Sequence, residues 1–144
     1  MLQWHNPFSQ PFPSRFTPKS VVKAGSEVRL RITLTNTSDQ DAFYSVVAQS
    51  AAPYDVYVRD SKGNSAPETP YGRKIHPWSP GHPPLSGSFT AFRVRLAPGR
   101  KTETEVDLTR EYNLSQPGKY AVQSQDVQDG IVLKSNTLTV TVTE

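Results

Sequence analysis

Three histidines, His5, His76 and His82, are the side chains best suited to acid–base or metal chemistry in this 144-residue chain. None of them lies in an HxxxH or HExxH pattern, and Glu68 is the single acid between Ser61 and Arg100. Zinc takes roughly three or four converging ligands, so no metal site is expected there. The 126–130 loop carries two acids, Asp126 and Asp129, short of the roughly six to eight oxygens of a calcium site, and reads as a turn. Serines are frequent, but no Gly-x-Ser-x-Gly elbow occurs, and no His–Asp pair to activate a serine can be named. Glu103, Glu105 and Asp107 share one strand face, whereas a glycosidase needs one of its carboxyls in an apolar pocket. With no cysteine, a thiolate nucleophile and a thiolate zinc site are also excluded. The chain is read as non-catalytic, with no cofactor and no metal.

What remains is chemistry of recognition. The segment 67–84 (PETPYGRKIHPWSPGHPP) holds six prolines together with Tyr71, Arg73, Lys74, His76 and Trp78. Connections longer than about 12–15 residues tend to be functional, and proline lowers the entropy lost when such a loop binds. Tyr, Trp and Arg are the types enriched at interface hot spots. Two readings are open: a partner-binding loop presenting those five residues, or a loop folded over the edge of a sandwich with Trp78 plugging the core. Residues 1–19 form a second such segment, with four prolines and with Trp4, Phe8, Phe12 and Phe16. Proline argues against a helix there despite the spacing of four. An extended arm is expected, its aromatics docking on its own domain or on another subunit by strand addition.

The elements that must position these segments are strands. Val28, Leu30, Ile32 and Leu34 alternate with Arg29, Arg31, Thr33 and Thr35, the period of a half-buried strand. Further strands are read at 42–48, 54–59, 92–96, 102–108, 118–125 and 131–143. Asn36 to Asp39, Ser61 to Asn64 and Ala97-Pro98-Gly99 supply the turns. If 92–96 and 102–108 pair as a hairpin, Arg95 faces Glu103 and Arg93 faces Glu105. No sustained helical period occurs, although 109–114 has room for one turn. About seven strands at this spacing imply an all-β antiparallel sandwich over 20–144, preceded by the arm.

Charge narrows the partners. Lys and Arg number 16 against 13 Asp and Glu. Residues 1–24 carry Arg15, Lys19 and Lys23 and no acid, so the remainder of the chain is neutral. No nucleic-acid-binding module is recognisable, and nucleic acid is not expected as a partner. No run approaches the roughly 20 apolar residues of a membrane-spanning helix, so no membrane insertion is expected. The first residues have neither a basic start nor an apolar core of the kind found in secretory signals.

Gln116-Pro117-Gly118-Lys119-Tyr120-Ala121-Val122 resembles the opening of strand F in immunoglobulin-like domains. The resemblance implies that Tyr120 is the structural corner tyrosine, that Val122 stands where a disulfide cysteine usually does, and that Leu30 or Ile32 faces it. The stretches 22–38 and 96–120 are similar to bacterial immunoglobulin-like domains of secreted or surface proteins. The similarity implies a secreted or surface location; a protein partner, or self-association through the arm, is expected. The order of Asn36-Thr37-Ser38, the 54–63 stretch, Leu96 to Gly99 and Pro117 to Tyr120 also resembles the bacterial intracellular proteinase inhibitor family, without its Trp-containing segment. The expected function is thus a non-catalytic interaction or structural module. The alternatives are a proteinase inhibitor, an assembly subunit exchanging its arm, or a glycan-binding module stacking sugars on Trp78 and Tyr71.

Overall fold

The computed structural model describes residues 21–47, 55–76, 78–80, 91–128 and 131–144. The arm expected at 1–19, with Trp4, Phe8, Phe12 and Phe16, lies outside the described residues, as does the end of the proline-rich segment at 81–84. Nine strands and two short helices occur among the described residues. They are β1 (Val21–Lys23), β2 (Arg29–Thr35), β3 (Ala42–Val47), β4 (Asp55–Arg59), α1 (Pro70–Ile75), β5 (Ala91–Leu96), β6 (Lys101–Asp107), α2 (Leu108–Glu111), β7 (Gly118–Gln128), β8 (Ile131–Lys134) and β9 (Leu138–Thr143). The described residues are all-β in class, and the helices are insertions of one to two turns.

One sheet runs β1-β9-β7-β4, with β8 pairing the far end of β7. β1 lies parallel to β9, and the other pairs are antiparallel. Two further two-stranded sheets pair β2 with β6 and β3 with β5. The period-two pattern of β2 does what it should: Leu30, Ile32 and Leu34 are buried while Arg29 and Arg31 face out. Those residues join Val56, Val58, Val106, Tyr120, Val122, Val140 and Val142 in one apolar cluster shared by strands of separate sheets. Each side chain so buried is stabilised by roughly 1.5–3 kcal/mol relative to exposure.

The hairpin expected between 92–96 and 102–108 does not form. β2 and β3 are two stretches of one kinked segment, β5 and β6 of another, and the two segments run antiparallel. Residues 97–100 are therefore the kink opposite 36–41 rather than a hairpin apex. Arg95 pairs with Asp41, its Nε 2.6 Å from Oδ2, instead of with Glu103. Glu103 and Glu105 flank Arg31 at 3.9 and 3.6 Å, and Arg93 lies over the ring of Phe43.

Asn36, 0% exposed, is what holds the kink. Its Nδ2 donates to the carbonyls of Leu96 and Gln40, both at 2.7 Å, and its Oδ1 accepts from the Ser38 amide and hydroxyl. Its backbone amide donates to Arg100 and its carbonyl accepts from Gly99. One side chain thus satisfies carbonyls on both strands where the ladder is interrupted, as buried polar groups require. Gly99 makes the opposing turn with φ +72°, a conformation that other residues adopt at a cost.

Two further boundaries differ from the sequence reading. Asp126 to Gln128, read as part of a turn, lie within β7 and pair with β8. The stretch read as one strand at 131–143 is two. Between them Ser135 Oγ accepts from the Ser124 amide, and the Ser135 amide donates to the Ser124 carbonyl. A side-chain hydroxyl there takes the place of a ladder partner, and the strand restarts in a new register.

Replacing Asn36 by Ala leaves two carbonyls of the kink without their donor in a site closed to water. Urea denaturation is expected to show a loss of about 2–3 kcal/mol, with a smaller loss of about 1 kcal/mol for Ser38→Ala.

Candidate functional site

The segment from Pro67 onward folds back on the domain through main-chain bonds. Asn113 N–H donates to the Pro67 carbonyl, Thr69 N–H donates to Glu111, and Glu68 and Tyr112 form an isolated antiparallel bridge. α1 then starts by rules legible in its residues: Thr69 caps it by accepting from the Gly72 amide at 3.0 Å, and Pro70 takes the first helical position. α2 starts similarly, with Asp107 accepting from the Thr109 amide. The two helices touch at Gly72, where a Cβ would stand 2.1 Å from the Glu111 carbonyl oxygen. Only glycine permits that approach.

Beneath the helices is a buried polar chain. His76, 2% exposed, places Nδ1 2.6 Å from Glu68 Oε1 and Nε2 2.9 Å from Glu111 Oε2. Ser79 donates its hydroxyl proton to Glu68 Oε2 at 2.7 Å. Aromatic rings surround the imidazole. Trp78 stacks on it at 4.6 Å and on Tyr57 at 4.2 Å, while Tyr112 lies tilted at 4.9 Å. Tyr112 in turn donates its hydroxyl to the Val56 carbonyl in β4. The imidazole thereby links the 67–80 segment, α2 and the edge of the sheet.

Both ring nitrogens face carboxylate oxygens, so the arrangement is satisfied fully only when both carry protons. Burial opposes the imidazolium and is the largest single influence on it. The hydrogen bonds to Glu111 and Glu68, with their charges, together outweigh it and hold the His76 pKa above the ordinary histidine value. Burial raises the Asp55 carboxyl, with the His76 charge opposing and Glu111 adding. Burial also raises the Tyr112 phenol, helped by Glu111 and Glu68, and the Tyr57 phenol, helped by Asp55.

The arrangement of His76, Glu68, Glu111 and Ser79 is that of a clasp. In a hydrolase relay the serine hydroxyl donates to the imidazole. Here its one proton is committed to Glu68, and carboxylates occupy both ring nitrogens through which a base would act. No group of three or more metal-ligating side chains converges among the described residues.

The five loop residues singled out from the sequence divide. Arg73 and Lys74 are exposed on α1, and Tyr71 is half-buried beneath the Arg110 guanidinium at 4.8 Å. His76 faces inward, and half-buried Trp78 packs against the clasp. Tyr120 is buried at the start of β7, its hydroxyl donating to the carbonyl of Gln116, four residues back. Glu68, Ser79, Glu111, Tyr112 and Gly72 were not singled out. The Thr69-Pro70 pair is a readable helix start, but Glu111 comes 35 residues after His76, and no local spacing joins them.

No protein-family profile matches the chain, and no curated protein matches it.

Two expectations follow. A raised histidine pKa contributes stability that is present below the unfolded value, about 6.5, and is lost as pH rises through the folded value. Asp55 acts in the same sense, but only near the acidic range where an unfolded aspartate titrates. The melting temperature is expected to fall from pH 6 upward through the His76 titration, as followed by its ring NMR signals. The fall should flatten in His76→Gln, which is itself less stable by about 3 kcal/mol for want of a charge between two buried carboxylates. Gly72→Ala forces α1 away from α2, and thermal unfolding is expected to show a loss of about 1–3 kcal/mol.

Proposed function

We propose that the chain is a non-catalytic interaction module: an immunoglobulin-like β-sandwich, of the kind borne by bacterial surface or secreted proteins, that rigidly displays its 67–80 segment to a protein partner. The observation that carries this reading is that α1 is fastened from beneath by His76 while Arg73 and Lys74 stand exposed above it. A recognition segment fixed before binding loses little entropy on binding. The sandwich assignment is supported by strands of separate sheets sharing one apolar cluster, by β1 lying parallel to β9, and by the bond from Tyr120 to Gln116. Val122, Leu30 and Ile32 belong to that cluster, as apolar replacements for a disulfide would.

The display reading is preferred to proteinase inhibition because α1 is helical, whereas a protease cleft holds an extended strand. It is preferred to hydrolysis because the imidazole is engaged on both nitrogens. The test is affinity capture from a bacterial envelope fraction, with the wild type and Arg73→Glu/Lys74→Glu compared at matched thermal stability. At least one protein retained by the wild type and lost by the variant is expected. Identical captures overturn the reading, as does micromolar inhibition of a subtilisin-like protease.

A further inference from the structure

The face that α1 and α2 turn outward has an unusual charge distribution. Residues 67–76 and 108–113 contain two acids, Glu68 and Glu111, and three bases, Arg73, Lys74 and Arg110. Both acids turn inward to His76, their side chains 14% and 6% exposed. All three bases are exposed. Elsewhere on the domain the two signs are interspersed: Arg29 pairs with Glu27, Arg31 with Glu103 and Glu105, and Arg95 with Asp41. On the helical face the imidazole has withdrawn the carboxylates that would have balanced the cations. Residues 77–90, which follow directly, contain no acid either.

We propose that this face docks an acidic polypeptide segment, with Arg73, Lys74 and Arg110 as its charge partners and the Tyr71 ring as its contact platform. The proposal rests on the display reading and names the chemistry of its partner. Arg110 lies over the Tyr71 ring, so its planar fork is already oriented. Arg73 spends one Nη1 donor on the Glu68 carbonyl at 3.0 Å and keeps the rest of its fork for a carboxylate. An arginine with free fork donors, a ring-stacked arginine and an exposed lysine within the span of two short helices match a few carboxylates spaced along a peptide. Nucleic acid fits less well. α1 is about 9 Å long, and three cations fall short of the roughly 6–10 phosphate contacts of a duplex-binding surface.

The test is an NMR titration of the full chain with an acetylated oligo-glutamate peptide at low salt, run beside an oligonucleotide of equal charge. Amide shifts gathered on Tyr71 to Lys74 and Thr109 to Glu111 are expected, with peptide binding weakened about tenfold or more in Arg73→Glu/Lys74→Glu/Arg110→Glu. Raised salt should weaken it as well. The milder Arg73→Gln/Lys74→Gln variant serves if charge reversal unfolds the domain. Shifts scattered over the whole surface, equal binding by the variants, or tighter binding of the oligonucleotide overturn the proposal. If the captured partner depends on Arg73 and Lys74 but oligo-glutamate does not bind, the acidic inference falls and the display reading stands. If capture is also indifferent to them, both fall.

Discussion

A buried imidazole with a carboxylate against each nitrogen is the interaction on which the upper end of this domain depends. Bringing Glu68 and Glu111 together away from water is unfavourable unless a positive group lies between them, and His76 is that group. Once the imidazolium is in place, much else follows. Glu111 must sit where α2 places it, so α1 must cross close to α2, and that crossing demands the missing Cβ of Gly72. Ser79 satisfies a remaining oxygen of Glu68, and the rings of Trp78, Tyr57 and Tyr112 keep water from the imidazole. Residues 67–76 are held to the domain by the contact of His76 with Glu111 together with main-chain bonds at Pro67 and Thr69.

The same logic appears without charge at Asn36. There the difficulty is a kinked double strand whose carbonyls lose their ladder partners, and an amide side chain replaces them on both sides. Neither device adds much net energy compared with an apolar residue of similar size. What each contributes is uniqueness. A hydrophobic contact tolerates a shift of register, but Asn36 and His76 meet their hydrogen-bond geometry in one arrangement only. One sets the kink between β2 and β3, and the other sets the position of α1.

Strands were legible in the sequence because their signal is local. Arg29 to Thr35 declare their buried face by alternation, and Ser61 to Asn64 declare a turn by composition. Pairing was less legible. Arg93, Arg95, Glu103 and Glu105 suit a hairpin as well as they suit the observed ladders, since exposed charges choose partners by small energies. The deciding residue is Asn36, whose role depends on a contact with Leu96 across 60 positions. The clasp was hidden for a related reason: Glu68 near His76 gave one carboxylate, and the second arrives only through the fold. Tyr71, Arg73, Lys74 and Trp78 were visible as residue types, while their division into outward and inward groups waited on His76.

That division changes the meaning of the charge count. A neutral body with a basic stretch at 59–101 and an acidic one at 102–144 suggests cancellation across neighbouring strands. Cancellation does occur at Arg31, but Glu111 is spent inside the domain, and its charge reaches solvent only weakly. Surface potential is set by where charges end up, not by how many the chain carries. An internal salt bridge can therefore create an external patch: each carboxylate drawn inward leaves a cation outside without its counterpart. In this chain a single histidine ties the order of the segment to the charge of its face.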